Sequence, residues 1–569
     1  MRERYHWKKL QTLPMQRLGP RFGGTLNLEA PAPSEWSPFS DSPHGATFGH
    51  LLPLVYSQLV TTTADDYTDA HRTIIGGDLA SSWELPDDQT IIFDLRNDVQ
   101  WDEKSPTAAR QLTAADVAFC YDTFRASEGR QAWTYRAVSR IESQESARTV
   151  TFFLNDPAAY LLNEMTSPWH VVTPPELIDD YEAVDWIQSS YGTGPFRLRL
   201  SVPGQQWSLS RNPTYFKRHG ESEQRLPFLD TLNGFSFTSL TRSEHSPRET
   251  AWYNGDVDVL RTEGVDAAEE ALAVHPDAVA QVTPPTPGYG VRYDFRTVTD
   301  GPFSDPRVRQ ALAMTIDRPA LARLLFWGFA APDCAQNWAF VEDLSTESGF
   351  REWPWEGSEL GEYFQLDPWT ARQLLEAAGY TEATPLGLVL DGPPELPVAA
   401  DSPPTRMELV TEIMLDQISG GLGSAVSTWV AKRNLERIRH SDGSERWMSS
   451  PASDADLIYN TDRDFYSADP DLLAYGNLHS AGPWNVAGIA DPELDEWAIA
   501  QARAVRPEDR SRYLEQIRKR EADQAWRLHL VNPYGIVVRR GYVYNVVNTY
   551  FGKEVTALAK QFERSWRSA

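Results

Sequence analysis

Residues 304–328, SDPRVRQALAMTIDRPALARLLFWG, constrain the fold more than any other stretch of this sequence. Asp305 is suited to cap a first helix, and the proline after it is harmless because the first turn of a helix leaves its N–H groups unpaired anyway. Apolar residues then recur at helical spacing as far as Ile316. Asp317 is suited to cap a second helix that ends near Gly328. The stretch therefore predicts two short packed helices.

Residues 79–101, LASSWELPDDQTIIFDLRNDVQW, predict two strands joined by a tight turn at the two consecutive aspartates. In the second strand, Ile91, Phe93 and Leu95 alternate with residues of which two are charged. Such alternation is typical of a strand with one buried face, so these three side chains are expected to point into a core.

Several helices are indicated by their first residues or by their periodicity. Thr113 is suited to cap a helix, with Asp116 reaching back to complete a capping box. Asp367 is suited to cap another helix. Helices are predicted at residues 367–380, 405–422 and 506–529, and residues 48–60 show a helical periodicity that Pro53 interrupts.

A glycine-rich turn precedes a predicted strand at residues 192–198, GTGPFRL. Its two glycines are expected to supply backbone torsions that other residues avoid. The word LSRNPTYF follows at residues 209–216. The glycine-rich turn alone would be a weak signal, but the two words together make a specific pattern.

These stretches resemble, in the same order, the family 5 extracellular solute-binding proteins, the peptide/nickel-type binding proteins of ABC importers. Residues 304–328 resemble the family pattern D-x-R-V-R-Q-A-L-x-x-A-I-D-R, and residues 192–196 resemble its G-T-G-P-[FY] word. Residues 209–216 resemble L-x-R-N-P-x-Y-[FW], and residues 367–380 resemble D-P-x-x-A-x-x-L-L-x-x-A-G-Y.

The resemblance implies an α/β fold of the two-lobed periplasmic-binding-protein type, in the large peptide-binding form that carries an extra inserted domain. At 569 residues the chain has room for two or three domains. The expected division is a flexible lead-in at residues 1–20, a discontinuous lobe I at residues 21–55, 193–290 and 530–569, an inserted domain at residues 56–192, and lobe II at residues 291–529.

The implied function is capture of an extracytoplasmic solute, with an oligopeptide as the expected ligand, followed by delivery to the permease subunits of an ABC importer. The lobes are expected to close around the ligand. We expect a monomer in the periplasm or elsewhere outside the cytoplasm, meeting the membrane only through the permease or an anchor. Residues 1–24 contain no apolar run long enough for a signal-peptide core, so the means of export stays open.

The formal net charge of −27 argues against nucleic-acid binding, which needs clustered cations, and against attraction to anionic membranes. Solubility is one interpretation of this acidity, and attraction for cationic ligands is the other. The sequence contains no phosphate-binding glycine loop, zinc-protease motif or nucleophile elbow. We therefore predict a non-enzymatic protein with no catalytic residues, no metal ligands and no cofactor.

The resemblance suggests three ligand-binding residues in the second half of the chain. In peptide-binding members, a tryptophan in one strand lines the pocket, and an aspartate shortly before an Asp-Pro or Glu-Pro word pairs with the ligand's ammonium group. Trp429 matches the tryptophan, whereas Asp462 and Asp464 precede Asp469 and Pro470 at a spacing shifted by a residue or more. Core packing of Trp429 and solvation of both aspartates are the alternatives.

Four further residues complete the predicted ligand-binding set. Thr47 and Phe48 occupy the region whose backbone pairs with peptide ligands as an added strand. Tyr534 lies near a predicted hinge crossing, with core packing as its alternative. Trp447 lies in a loop-like insert, where its ring could stack on a ligand or cover the lobe.

Other interpretations remain open from the sequence. The same scaffold could bind an oligosaccharide or a metal chelate, and the 20 tryptophans favour sugars. A scaffold-derived enzyme is a third alternative, which clustered carboxylates in the cleft would reveal. Cys120 and Cys334 could form a disulfide, or could be a buried thiol and a free loop thiol.

Overall fold

The structure is a computed structural model, and it describes most of the chain. The described residues are 21–30, 32, 36, 38, 51–63, 74–104, 106–127, 132–178, 190–220, 223–237, 247–262, 265–283, 291–297, 301–326, 330–331, 361–391, 406–431, 437–439, 445–447, 457–461, 469–533, 535–544 and 566–567. All structural statements below concern these residues.

Strands occur along the whole described chain. They are β1 Thr25–Glu29, β2 Ser57–Gln58, β3 Val60–Thr63, β4 Ile74–Gly77, β5 Ala80–Asp87, β6 Thr90–Leu95, β7 Val138–Gln144, β8 Thr149–Leu154, β9 Val171–Val172, β10 Phe196–Val202, β11 Gln206–Arg211, β12 Thr231–Phe235, β13 Val259–Thr262, β14 Val279–Thr283, β15 Val291–Phe295, β16 Ala330–Ala331, β17 Leu386–Asp391, β18 Val426–Ala431, β19 Arg437–Arg439, β20 Glu445–Trp447, β21 Leu457–Thr461, β22 Arg527–Pro533, β23 Gly535–Arg539, β24 Val543–Tyr544 and β25 Trp566–Arg567.

Helices lie between the strands. They are α1 Leu52–Val55, α2 Ala114–Ala126, α3 Leu161–Glu164, α4 Pro175–Ile178, α5 Pro247–Asn254, α6 Val265–Val274, α7 Pro306–Ala313, α8 Arg318–Phe326, α9 Pro368–Ala377, α10 Arg406–Leu422, α11 Pro492–Arg503 and α12 Pro507–Gln524. Short 3-10 turns occur at Ala132–Tyr135, Pro302–Ser304, Glu362–Phe364 and Gly423–Ala425, and a π-helical segment at Leu472–Asn477.

Lobe I is built on a seven-stranded sheet with the strand order β10-β11-β12-β1-β13-β23-β14. β1 pairs in parallel with β12 and β13, whereas β23 pairs antiparallel with both β13 and β14. Two hydrophobic clusters lie on this sheet, one around Trp36 and Trp207 and the other around Trp252 and Val538. The sheet therefore joins segments from the beginning, middle and end of the chain.

Lobe II is built on a six-stranded sheet with the strand order β16-β22-β15-β21-β17-β18. Tyr293 and Phe295 of β15 point into a core that they share with α7, α8, α9 and α10. Arg292 and Asp294 alternate with them, so they lie on the opposite face of the strand. On that side α11 and α12 pack on each other around a second cluster that includes Leu494.

An additional domain is inserted between α1 and β10. Its four-stranded sheet has the order β5-β6-β8-β7, and α2 contacts β7 and β8. Ile91, Phe93 and Leu95 are 2%, 0% and 6% exposed, which confirms the predicted inward face of the second strand. This domain has its own hydrophobic core, as an inserted unit requires.

Two glycines of the GTGP word hold the inserted domain close to lobe I. A Cβ at Gly192 would lie 1.9 Å from the carbonyl oxygen of Val55, and a Cβ at Gly194 would lie 2.5 Å from its carbonyl carbon. Gly194 N–H donates to Val55 O at 2.8 Å. Neither glycine has a positive φ. The expectation of special torsions was therefore wrong, because what demands glycine here is the close approach of two main chains.

Buried ion pairs strengthen the same junction. Arg197 of β10 lies 3.0 Å from Asp102 of the inserted domain, measured from Nε to Oδ2. Lys217 Nζ lies 2.8 Å from Asp78 Oδ1, and the Asp78 side chain is fully buried. Since these side chains are removed from water, breaking either pair would leave a buried charge. The inserted domain is thus fixed to lobe I.

The predicted helix caps are confirmed. Asp305 accepts a hydrogen bond from the N–H of Arg307 at the start of α7, and Asp317 accepts one from the N–H of Ala320 in α8. Thr113 and the aspartate of the next turn form the predicted capping box of α2. Asp367 caps α9.

Two helices end differently from expectation. Residues 48–60 show helical periodicity, but α1 ends at Val55 and the chain continues extended into β2 and β3. Residues 506–529 were predicted as a long helix, but α12 ends at Gln524 because Ala525 adopts a left-handed conformation at φ 46°. The following residues form β22, so the predicted limit between lobes at residues 529 and 530 falls inside that strand.

Cys120 is fully buried in α2, as predicted for a buried thiol. Its Sγ lies 3.7 Å from the carbonyl oxygen of Val171 and 3.7 Å from Thr173 Oγ1. Burial raises the pKa of this thiol to about 11. Cys120 is a free thiol, as the unpaired alternative predicts, whereas Cys334 lies outside the described residues.

His170 lies in the core of the inserted domain, where its Nδ1 is 2.8 Å from the Tyr135 hydroxyl. Burial lowers the pKa of this imidazole from 6.5 to about 3. The unfolded chain therefore binds a proton below pH 6.5 that the folded chain does not bind. This histidine contributes its full stability only above pH 6.5, and the contribution is lost as the pH falls toward 3.

We predict that His170→Asn weakens the acid sensitivity of the inserted domain. Between pH 7 and pH 5 the wild-type chain should lose about 2 kcal/mol more of its unfolding free energy than the variant. Denaturant unfolding at the two pH values, followed by hydrogen exchange of the β6 and β8 amides, measures this difference. Equal losses in the two proteins would contradict the prediction.

Candidate functional site

The chain passes between the two lobe sheets at two places that lie side by side. β14 of lobe I is followed, after residues 284–290, by β15 of lobe II. β22 of lobe II is followed, after Tyr534 alone, by β23 of lobe I. Because β14 pairs with β23 and β15 pairs with β22, both passages join neighbouring strands. We call this arrangement the paired crossing.

The register of the strands brings the ends of the two passages together. Thr283 pairs with Gly535 on the lobe I side, and Val291 pairs with Val531 on the lobe II side. Two adjacent connections allow one lobe to rotate against the other while they limit separation and twisting. In a two-lobed fold the ligand cleft lies between the lobes, so the paired crossing is the candidate hinge of the site.

Next to the crossing, a buried ionic network stiffens β15 and β22. Its members are Arg292, Asp294, Glu521, Arg527 and His529, each at most 3% exposed. Arg292 Nε lies 3.2 Å from Asp294 Oδ1, and Arg527 contacts the Glu521 carboxylate. Burial lowers the pKa of His529 to about 4, so it is neutral at pH 7. Two arginines then balance two carboxylates.

Two arginines of the 304–328 stretch clamp the same region. Arg309 donates from Nε to Gln524 O at 2.7 Å, which fixes the end of α12. Arg318 donates to the carbonyl oxygens of His529 and Phe364, each at 2.8 Å. Burial lowers the pKa of Arg309 to about 10 and of Arg318 to about 9, so both stay protonated at pH 7. The stretch thus supports the hinge strand β22.

A second polar cluster joins the inserted domain to lobe II. We call it the interlobe network, and its members are Arg136, Asn163, Asp469, Asp471, Gln501 and Arg510. Arg136 Nη2 donates to Asp471 Oδ2 at 2.6 Å, and Asn163 Nδ2 donates to Asp469 Oδ2 at 3.2 Å. Both bonds cross from the inserted domain to the segment that leads into α11.

Within lobe II the network continues as a chain of hydrogen bonds. Gln501 Nε2 donates to Asp471 Oδ1 at 2.6 Å, and Gln501 Oε1 accepts from Arg510 Nε at 3.2 Å. Arg510 also binds the Asp469 carboxylate, at 3.0 Å from Nη1 to Oδ2. Burial, assisted by Asp469 and opposed by Arg136, raises the pKa of Asp471 above its ordinary value.

Aromatic rings surround the crossing arginine. The Arg136 guanidinium lies 4.0 Å from the ring centre of Tyr160 in its own domain and 4.3 Å from that of Tyr475 in lobe II. Trp133 and Trp484 meet edge to face across the same boundary at 5.0 Å. A cation held between two rings gains attraction from both of them.

The structure locates the backbone of two predicted ligand-binding residues. Trp429 lies on β18, paired with Val389 of β17, at the edge of the lobe II sheet. Trp447 lies on β20, paired with Arg437 of β19 in a separate two-stranded sheet. Five predicted residues lie outside the described residues, namely Thr47, Phe48, Asp462, Asp464 and Tyr534. All seven roles stay predictions.

Sequence reasoning missed the residues that join the inserted domain to lobe II. Arg136 has no neighbouring motif, and Asp471 is 335 residues away from it. The Asp-Pro word at Asp469 was recognised, but only as a marker for the aspartates that precede it. The structural signal for the network is a pair of fully buried aspartates two residues apart, which the sequence alone does not reveal.

Residues 75–442 match the family described as "Bacterial extracellular solute-binding proteins, family 5 Middle". The chain belongs to this family. A putative ABC transporter peptide-binding protein of Brucella ovis is 26% identical over 350 residues. That alignment spans 60% of this chain and 58% of the Brucella protein.

Solved structures confirm the predicted fold of this family 5 protein. The periplasmic binding protein AgaA from A. tumefaciens R10, in complex with agropinic acid, matches with a TM-score of 0.70 and 18% identity, covering 96% of this chain and 99% of that one. DppA from Helicobacter pylori, in complex with the peptide STSA, matches with a TM-score of 0.68 and 17% identity, covering 96% and 99%. None of the described helices combines the length and the apolar composition that a membrane-spanning segment requires.

We predict that Glu521→Gln destabilises lobe II at β15 and β22. The change leaves buried Arg527 without its carboxylate partner, and breaking a buried pair in this way costs about 3–5 kcal/mol. Native-state hydrogen exchange of the β15 and β22 amides measures the loss.

The matched control is Glu142→Gln, which removes the partner of Arg140 in an ion pair whose side chains are 58% and 57% exposed. Exposed pairs contribute about 0–1 kcal/mol, so this variant should change little. Equal effects of the two substitutions would contradict a structural role for the buried network.

Proposed function

We propose that this protein binds an extracytoplasmic solute by closing lobe I and lobe II around it, and that it delivers the solute to an ABC importer. The observation that carries the proposal is the paired crossing, in which two adjacent passages join two sheets that have separate cores. A protein that performs no chemistry on its ligand needs such a hinge and a cleft, and it needs no catalytic group.

An oligopeptide is the proposed ligand. The Brucella relative is named a peptide-binding protein, and the Helicobacter pylori structure holds a peptide. The net charge of −27 favours ligands that present an ammonium group. The agropinic acid in the AgaA structure supports a small non-peptide solute as the second candidate. An oligosaccharide or a metal chelate would use the same closure.

The proposed ligand contacts come from both lobes. Thr47 and Phe48 would offer main-chain pairing to a peptide, whereas Trp429 and Trp447 would supply aromatic surface and Asp462 or Asp464 would pair with its ammonium group. Tyr534, which follows β22 at the second hinge passage, would face the ligand in the cleft. The proposed partners are the permease subunits of the importer, which would recognise the closed form of a monomer outside the cytoplasm.

Native mass spectrometry of freshly purified protein tests the ligand class. A ladder of peptide masses released from the protein is the expected result. A single mass that corresponds to a sugar or a metal chelate would show that this solute, and not a peptide, is the ligand. Small-angle scattering of the same sample, before and after ligand removal, should give a smaller radius of gyration for the bound form.

We predict that Trp429→Ala weakens binding of the co-purified ligand about tenfold or more, as expected when an aromatic wall of a pocket is removed. Titration calorimetry with the identified ligand measures this. Trp369→Ala is the control, because Trp369 is 70% exposed on α9. Unchanged affinity in Trp429→Ala would assign that tryptophan to the core.

A further inference from the structure

We propose that the interlobe network is a latch that holds the closed arrangement of the lobes, with Arg136 of the inserted domain as its central residue. The proposal rests on the proposed function only in requiring an open and a closed arrangement. It goes beyond that function by giving the inserted domain, which is fixed to lobe I, a direct part in closure.

The inserted domain is attached to lobe I far from the hinge strands. The attachment is at β10, whereas the paired crossing uses β23 and β14 at the other end of the lobe I sheet. Five strand spacings separate β10 from β23, which is about 24 Å at roughly 4.8 Å per spacing. A hinge rotation of about 15° would displace a point at this distance from the hinge strands by about 6 Å, more than any hydrogen bond can stretch.

Four polar contacts between described residues would have to break on opening, together with the two ring contacts that join Arg136 to Tyr475 and Trp133 to Trp484, and all of them involve the inserted domain. Two are the hydrogen bonds from Arg136 to Asp471 and from Asn163 to Asp469. A third is the main-chain bond from Ala159 N to Ala502 O at 2.8 Å. The fourth is an ion pair between Asp156 and Arg503, in which Oδ2 and Nη2 lie 2.8 Å apart.

Each side of the latch keeps partners of its own when the contact opens. Asp469 retains Arg510, and Asp471 retains Gln501, so the lobe II side stays ordered. On the other side, Arg136 retains the ring of Tyr160. Opening therefore exposes groups that are already arranged and partly paired, and closure needs little side-chain ordering. These are the properties of a contact that can form and break repeatedly.

Distances between two spin labels report the arrangement without knowledge of the ligand. One label is placed at Asp88→Cys in the inserted domain and the other at Glu376→Cys on α9 of lobe II, since both positions are exposed. The background is the full chain with Cys334→Ser, and Cys120 is protected by burial. Double electron–electron resonance on ligand-free protein should resolve a closed and an open population.

Arg136→Met should lower the closed-to-open ratio at least about tenfold, because a buried pair loses its cation and the two-ring contact is lost. The matched control is Arg140→Met. Arg140 is in the same domain and lies 3.6 Å from the centre of the Phe153 ring, with an exposed carboxylate partner that does not belong to lobe II. This control should leave the ratio unchanged.

A charge exchange at the exposed pair tests the same interface without disturbing a core. Asp156 and Arg503 side chains are 46% and 52% exposed. Asp156→Arg should lower the closed-to-open ratio about twofold to fivefold, and the double variant Asp156→Arg/Arg503→Asp should restore it.

The outcomes separate the latch from the proposed function. Two populations whose ratio is the same in wild type, Arg136→Met and Asp156→Arg would make the contact a fixed pivot and overturn the latch alone. A single population that is unchanged in every ligand-free variant would also overturn the latch alone, because the ligand could still drive closure. The same label distance with and without the co-purified ligand would overturn lobe closure, and with it the proposed function.

Discussion

Main-chain pairing of β14 with β23 and of β15 with β22 is the interaction on which the rest of the structure depends. It brings two distant passages of the chain side by side, so that two separately built lobes share one axis. The buried ionic network and the clamps of Arg309 and Arg318 stiffen the lobe II end of this axis. The inserted domain is attached to lobe I by the close main-chain approach at Gly192 and Gly194 and by the ion pairs beside them. The opposite edge of the inserted domain is thereby placed against lobe II, where we propose that it acts on closure.

Local signals in the sequence predicted those parts of the fold that depend on interactions between residues close in the sequence. The caps at Asp305, Asp317 and Asp367 mark helix starts because a side-chain carboxylate satisfies N–H groups that the helix leaves open. The inward face of Ile91 and Phe93 follows from alternation alone. The family motifs, which occur in this sequence in the same order as in the family, then indicated the two-lobed architecture. No single helix or strand could have indicated it.

The parts that could not be predicted depend on contacts between distant residues. The helix expected to run to residue 529 ends at Gln524, because Ala525 turns left-handed without the glycine that usually signals such an end. Arg136 and Asp471 meet only when two lobes have formed, so the sequence around either residue does not indicate that the two will pair. The candidate ligand contacts were placed by resemblance, and a resemblance transfers a residue's position more reliably than its chemical role.

The position of β23 decides the order in which the lobes can fold. This strand fills the gap between β13 and β14, yet all of lobe II is synthesised between β14 and β23. Until Gly535–Arg539 has been made, β13 and β14 each present an unpaired edge, which is a surface prone to association with other chains. Lobe II, a continuous segment, can complete its sheet once β22 is available. The lobe that begins the polypeptide is therefore the last to be finished, and truncation near the carboxyl end would damage the amino-terminal half.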